Sequence, residues 1–158
     1  MSPSTFMRVC GASLLALCVL PALVSPVRGV DTPTTRDAPD LAAVRAKIKA
    51  KEFKAAIVDL NVLIDKGVQH ADVYNLLGFS LRKSGDVKTA YTFYKKALDF
   101  DPEHKGALEY LGELYVETGD MAKARQHVVL LHKLCPQGCE ELEDLEKAIA
   151  QATAPKTN

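Results

Sequence analysis

The chain has 158 residues, of which 20 are Lys or Arg and 20 are Asp or Glu, so its formal net charge is zero. Proteins that read nucleic acid usually carry a basic excess, and this balance argues against that class. With 47% hydrophobic and 25% charged residues, the composition suits one folded domain and excludes a chain that is disordered throughout.

Residues 1–29 have the composition of an export signal. Residues 1–8 hold one basic residue and no acid, residues 9–24 are uncharged and apolar, and Val27 and Gly29 fill the small-residue positions before a cut. We predict a signal peptide over 1–29, whose loss leaves 18 basic against 20 acidic residues. The alternative is a membrane anchor over 9–24, but this run contains Pro21 and is shorter than the roughly 20 residues that span a bilayer. Residues 30–40, with two prolines, are predicted to form a flexible linker.

The rest of the chain contains an internal repeat with a spacing of 34 residues. Segments 71–104 and 105–138 align at this spacing without a gap. Their identical pairs are Leu77/Leu111, Gly78/Gly112, Gly85/Gly119, Asp86/Asp120, Ala90/Ala124 and Pro102/Pro136.

The shared residues are typical of two helices joined by a tight turn. The first glycine of each segment allows the second helix of the pair to approach closely, and the second glycine suits the left-handed residue that ends a helix. The aspartate after it is a favourable N-cap residue for the next helix, and the proline ends that helix. The spacing therefore predicts a stack of helix-turn-helix units.

This pattern resembles the tetratricopeptide repeat (TPR). The second repeat fills all eight signature positions of that family, whereas the third has Val128 and Leu131 at the later two helix positions. The eight positions are occupied by Tyr74, Leu77, Gly78, Leu81, Ala90, Tyr94, Ala97 and Pro102.

A weaker first repeat is predicted over residues 37–70. Val44 stands where the close-packing glycine is expected, and Lys51-Glu52 replaces Gly-Asp at the turn. Residues 139–152 are predicted to form a capping helix, because Glu146 occupies the glycine position and no further helix would pack on a charge. The resemblance thus implies an all-α TPR solenoid over 41–152, with three repeats and a C-terminal cap, followed by a disordered tail over 153–158.

In this family the first helix of each pair lines a concave groove that binds an extended peptide or a partner helix. The inward positions with binding character are Asn75, Phe79, Arg82, Lys83, Glu109, Tyr110 and Glu113, accompanied by Arg45, Ile48, Lys49, Asp72, Leu76, Val116 and Glu117. One hypothesis is that Phe79 and Tyr110 hold an apolar anchor between a basic side (Arg82, Lys83) and an acidic side (Glu109, Glu113, Glu117). The alternative is that the two aromatic residues are ordinary packing and the charges form a solvated face.

The cysteines offer a second feature. Cys10 and Cys18 would leave with the signal peptide, and Cys135 and Cys139 are predicted to form a structural disulfide in an exported protein. Their Cys-Pro-Gln-Gly-Cys-Glu-Glu context is similar to an ending found in small exported repeat proteins of proteobacteria. The alternatives are redox activity of this pair or a metal site formed by His132, Cys135 and Cys139, with Glu140 nearby.

The sequence lacks the motifs of a phosphate loop, a zinc protease or a serine hydrolase, and no cofactor is expected. We therefore predict an exported, periplasmic and non-catalytic adaptor or assembly factor. Its expected partner is a protein or peptide, without nucleic-acid binding and without membrane insertion after signal cleavage.

Overall fold

The computed structural model describes residues 38–155, and this part of the chain contains seven α-helices and no β-strand. The helices are α1 (Ala42–Lys49), α2 (Phe53–Asp65), α3 (Ala71–Lys83), α4 (Val87–Phe100), α5 (Lys105–Glu117), α6 (Met121–Leu134) and α7 (Glu140–Thr153). None of them is both long and apolar enough to cross a bilayer. The predicted signal peptide, all but the last three residues of the predicted linker, and residues 156–158 of the predicted tail lie outside the described residues.

The helices pack in chain order. Each of the first six contacts the next, and α7 packs against both α5 and α6. The apolar side chains form one core group between α1, α2 and α3, a second between α4, α5 and α6, and a third that joins α5 and α6 to α7. A smaller fourth group joins α3, α4 and α5. The predicted all-α solenoid of three helical pairs and a capping helix is therefore confirmed.

The turns inside the second and third pairs have the predicted geometry. Gly85 and Gly119 have positive φ angles of 95° and 82°, which an L side chain rarely adopts. The side chain of Asp86 then accepts a hydrogen bond from the backbone N–H of Thr89 at 3.1 Å, and Asp120 accepts one from Lys123 at 3.2 Å. These two caps start α4 and α6.

The first turn has the same shape without the same residues. Lys51 has a φ of 61°, the left-handed conformation that glycine provides in the other two pairs. A residue with a side chain is less stable there by about 1–2 kcal/mol. Glu52 precedes α2 and makes no side-chain cap bond, so this turn lacks both stabilising devices.

The two close-packing glycines meet different neighbours. A Cβ at Gly78 would lie 2.7 Å from the ring of Tyr94 on α4, as the pair pattern predicts. A Cβ at Gly112 would instead lie 2.6 Å from Leu145 on α7. The nearest side chain to Gly112 thus belongs to the capping helix and not to α6, the second helix of its own pair. Val128 replaces the tyrosine of the preceding repeat, and a leucine of the capping helix lies against the glycine instead.

Candidate binding site on the first-helix face

The first helices of the three pairs and the capping helix share one surface, here called the first-helix face. A polar pocket of about 280 Å³ lies on it, called the acidic pocket below. All of its lining residues come from α1, α3, α5 and α7 or the residue before α5: Arg45, Asp72, Asn75, Leu76, His104, Gly106, Glu109, Tyr110, Glu140, Glu141 and Asp144. Side chains from four helices thus converge on one small volume.

The positive groups of the pocket are already engaged with Asp72. His104 caps α5, where its Nδ1 accepts a hydrogen bond from the backbone N–H of Ala107 at 3.0 Å. The proton of a neutral imidazole is therefore on Nε2, which donates to Oδ1 of Asp72 at 3.0 Å. The guanidinium of Arg45 lies 3.5 Å from the same oxygen. Asp72 has two positive or donating partners as a result.

Glu109 has no such partner. It is 7% exposed, and no Lys, Arg or His of residues 38–155 forms an ion pair with it. Burial raises the pKa of this carboxyl to about 8, and repulsion from Glu113, Asp144, Glu141 and Glu140 acts in the same direction. A positive charge brought into the pocket would favour the ionised form.

Asn75 lies next to Glu109 on the pocket wall. It is 5% exposed, and its side-chain oxygen has no hydrogen-bond partner in the described part of the chain. A buried carbonyl oxygen without a donor is costly, and it belongs to a side chain that lines the pocket without being accessible from it. Gly106 makes room for the amide, because a Cβ there would lie 3.1 Å from Nδ2.

The aromatic residues form a cluster beside the pocket. The rings of Phe79 and Tyr110 are 4.9 Å apart, Phe79 also packs edge-on against Phe53 at 6.2 Å, and Tyr110 lies 6.1 Å from Tyr94. Phe79 and Tyr110 are half-buried. Burial raises the pKa of Tyr110 to about 12, with a further contribution from Glu109 and Glu113. Both rings therefore pack against the core and keep an accessible edge.

The expected separation into a basic and an acidic side is not found. Arg82 reaches across to α5, where it binds Glu113 at 2.7 Å and Glu117 at 2.6 Å. Burial by itself would lower the pKa of Arg82, but the hydrogen bonds to Glu117 and Glu113 outweigh it and raise the pKa. Only Lys83 remains exposed, with its Nζ 5.3 Å from the ring centre of Phe79. Arg82, Glu113 and Glu117 thus join α3 to α5 and do not flank an anchor.

The three residues of the alternative metal site are not arranged to bind a metal ion. His132 is exposed on the last turn of α6, and its Nε2 lies 3.1 Å from the carboxylate of Glu146 on α7. Cys135 and Cys139 have adjacent sulfur atoms and Cα atoms 6.0 Å apart. Within residues 38–155 no three His, Cys, Asp or Glu side chains are arranged to hold a metal ion.

Five pocket residues were not among those predicted as groove positions from the sequence: His104, Gly106, Glu140, Glu141 and Asp144. A signal for two of them was available. When the 34-residue register is continued into the capping helix, Glu140 falls at the position of Asp72 and Asp144 at that of Leu76. The capping helix therefore supplies inward residues as a first helix of a pair does.

Comparison with known proteins is consistent with this fold. The sequence profile of a family described as tetratricopeptide repeat matches residues 81–132, which run from the end of α3 into the last turn of α6. Over these residues the all-α solenoid is similar to tetratricopeptide repeats.

Three relatives illustrate the range of similar proteins. The uncharacterized protein ycf37 of Pyropia yezoensis is 34% identical over 83 residues, which are 52% of this chain and 44% of that protein. The probable biofilm formation methyltransferase WspC of Pseudomonas putida is 29% identical over 130 residues, 70% of this chain and 31% of that protein. The cellulose synthase 2 operon protein C of Komagataeibacter xylinus is 31% identical over 105 residues, 66% of this chain and 8% of that protein. The chain spans less than half the length of each of these relatives.

Proposed function

We propose that the protein is a non-catalytic adaptor or assembly factor of the cell envelope, which binds a peptide or helix of a partner protein on its first-helix face. The observation that carries this proposal is the convergence of α1, α3, α5 and α7 on one pocket, whose lining includes the buried polar side chains of Asn75 and Glu109. A surface already held in place by the solenoid loses little conformational freedom when a partner binds.

The proposed cellular location is supported by the amino-acid sequence. The charged start, the apolar run over 9–24 and the small residues before position 30 support export, and the periplasm is the compartment that follows for a cleaved signal. The methyltransferase named among the relatives is matched over 31% of its length, so its name does not transfer an activity to this chain.

A disulfide between Cys135 and Cys139 belongs to the same proposal. Their Cα separation of 6.0 Å lies within the roughly 4.4–6.8 Å that a disulfide needs, and an oxidising compartment would preserve it. The bond would join the end of α6 to the start of α7. For so short a loop the expected stabilisation is about 2 kcal/mol.

Thiol labelling tests the disulfide. Alkylation of the unfolded, unreduced protein followed by peptide mass analysis should find no modification at Cys135 or Cys139, and reductant should lower the free energy of unfolding. The variant C135S/C139S is the matched control, since reductant should leave it unchanged. Full labelling of both cysteines in protein taken directly from its compartment would contradict the proposal.

Site-specific photo-crosslinking in the producing cell tests partner binding. A photoreactive residue at position 83, which is exposed beside Phe79, should capture a defined protein. The same residue at position 129 is the control, because Val129 is 54% exposed on α6, the second helix of its pair. Capture at 83 that disappears in N75A supports the proposal. If positions 83 and 129 capture the same proteins, or if folded and abundant protein captures none, the proposed partner binding is refuted.

The variants F79A and Y110A separate binding from packing. If the rings contact the partner, each variant keeps a cooperative unfolding transition and loses crosslinking from position 83. If the rings only fill the core, the variants unfold at lower denaturant concentration, and the folded fraction crosslinks as before. Circular dichroism during urea unfolding, measured beside the crosslinking yield, decides between the two.

A further inference from the structure

We propose that the acidic pocket binds the basic side chain, lysine or arginine, of the partner peptide. This inference rests on the proposed function, since it names the chemistry that the first-helix face recognises. It predicts that the peptide carries a basic residue next to an apolar one, because Tyr110 lines the pocket and also packs against Phe79.

The balance of charge in the pocket is the first argument. Its two positive or donating residues, Arg45 and His104, both contact Asp72. The four other carboxylates of the lining have no ion-pair partner in residues 38–155: Glu109, Glu140, Glu141 and Asp144. Like charges that share a partly buried volume repel one another, and a cation among them relieves that repulsion.

The burial of Glu109 is the second argument. Its side chain lines the pocket and is 7% exposed, and no cation of residues 38–155 forms an ion pair with it. A lysine ammonium has three N–H donors and an arginine guanidinium five, so either group can bond this carboxylate and a neighbouring one together. An anionic ligand would meet acidic side chains here and would add to their repulsion.

The dimensions of the site favour a side chain over a bare ion. About 280 Å³ is several times the roughly 30 Å³ that one water molecule takes in the liquid. Across residues 38–155, moreover, acidic and histidine side chains nowhere come close enough in threes to hold a metal ion. Carboxylates that surround a volume of this size suit an elongated, multi-donor cation.

The helix ends do not turn the pocket into an anion site. The first turns of α3 and α7 already carry acidic residues, with Asp72 on one and Glu140 and Glu141 on the other. The first turn of α5 is capped by His104. The partial positive charge of these three helix ends is thereby offset within the protein itself.

Peptide display against the purified full-length protein tests the inference. A random 12-residue library is selected on the wild type and, in parallel, on E109Q/D144N, which replaces two pocket carboxyl groups with nearly isosteric amides. The matched control is D65N/E143Q, which removes two charges from exposed residues that do not line the pocket. Enriched peptides are then synthesised with each basic residue in turn replaced by glutamine, and circular dichroism confirms that all variants are folded.

We expect peptides with lysine or arginine at one recurrent position beside an apolar residue. Replacing that basic residue should weaken binding to the wild type by about 10- to 100-fold, the usual effect of losing hydrogen bonds to a charged group. The variant E109Q/D144N should bind the original peptide with a similar loss, and D65N/E143Q should bind it as the wild type does. If E109Q/D144N does not fold, E140Q/E141Q on the other wall of the pocket takes its place.

Four results would overturn the inference. Peptides that bind without a basic residue, or that bind E109Q/D144N equally well, refute the cation site and leave the proposed peptide binding intact. If D65N/E143Q loses as much peptide affinity as E109Q/D144N does, the peptide is attracted by the overall negative charge of the protein. That result also refutes the cation site and leaves the proposed peptide binding intact. Failure of folded wild-type protein to enrich any peptide refutes the proposed function and the inference with it.

Discussion

The substitution E109Q isolates the free-energy cost of keeping a carboxyl group in the acidic pocket. Burial and the surrounding carboxylates raise the pKa of Glu109 from 4.5 to about 8 in the folded protein. Glutamine has nearly the shape of the protonated acid and does not ionise, so the variant keeps the packing and removes the titration. The other charged groups around this position are unchanged and cancel in the comparison: Arg45, Asp72, His104, Glu113, Glu140, Glu141 and Asp144.

The sign follows from the two pKa values. Since the folded pKa lies above the unfolded one, the stability contributed by protonated Glu109 is fully present below pH 4.5 and is lost as the pH rises through about 8. At about 1.36 kcal/mol per pH unit the upper limit is about 5 kcal/mol. Glu109 lines an open pocket, and solvent screening reduces the expected change to about 1–2 kcal/mol.

Urea unfolding of the wild type and E109Q at pH values from 4 to 9 measures this change. The free energy of unfolding of the wild type should fall relative to that of E109Q between pH 4.5 and 8 and then run parallel to it. The variant E143Q is the control, because Glu143 is an exposed carboxylate on α7 that does not line the pocket. If the wild-type and E109Q curves stay parallel within about 0.5 kcal/mol from pH 4 to 9, the raised pKa is refuted.

Four further variants test the packing of the solenoid. In K51G/E52D the glycine removes the conformational strain of a left-handed residue that has a side chain, and the aspartate can cap α2. The free energy of unfolding should therefore rise by about 1–2 kcal/mol. G78A should cost about 1–3 kcal/mol, because its new methyl group meets an aromatic ring and a backbone oxygen. G112A should cost less, since the nearest neighbours of its new methyl group are side-chain atoms of one leucine and include no backbone atom, and alanine favours a helix by about 1 kcal/mol. R82K should cost about 1–2 kcal/mol, because lysine cannot bond both of its glutamate partners with a planar fork.

Urea unfolding at pH 7 measures all of these variants against the wild type. A loss of stability in K51G/E52D would contradict the assignment of strain to the first turn. If G112A proved more harmful than G78A, the side chain of Leu145 would be unable to move aside. No effect of R82K would show that the contacts of Arg82 with α5 do not hold α3 and α5 together.

The helical pairs and their turns were predictable from the sequence because they depend on neighbours in the chain. Gly85 and Asp86 end one helix and cap the next through backbone conformation and a hydrogen bond three residues away. Such devices act over one turn, so their recurrence 34 residues later identifies the same structure again. The exception at Lys51 was also visible as a missing glycine.

The binding surface was predictable only in part, because its properties depend on helices distant in the sequence. The pattern identified Asn75, Glu109 and Tyr110 as inward residues, but it did not indicate that Arg82 would be neutralised by α5. Nor did it indicate that α7 would bring Glu140 and Asp144 into the same pocket. These contacts depend on the relative positions that the helices take when their apolar faces pack together. The sequence by itself determined which residues form helices and turns; only the tertiary packing decided which charges meet and which are left without a partner.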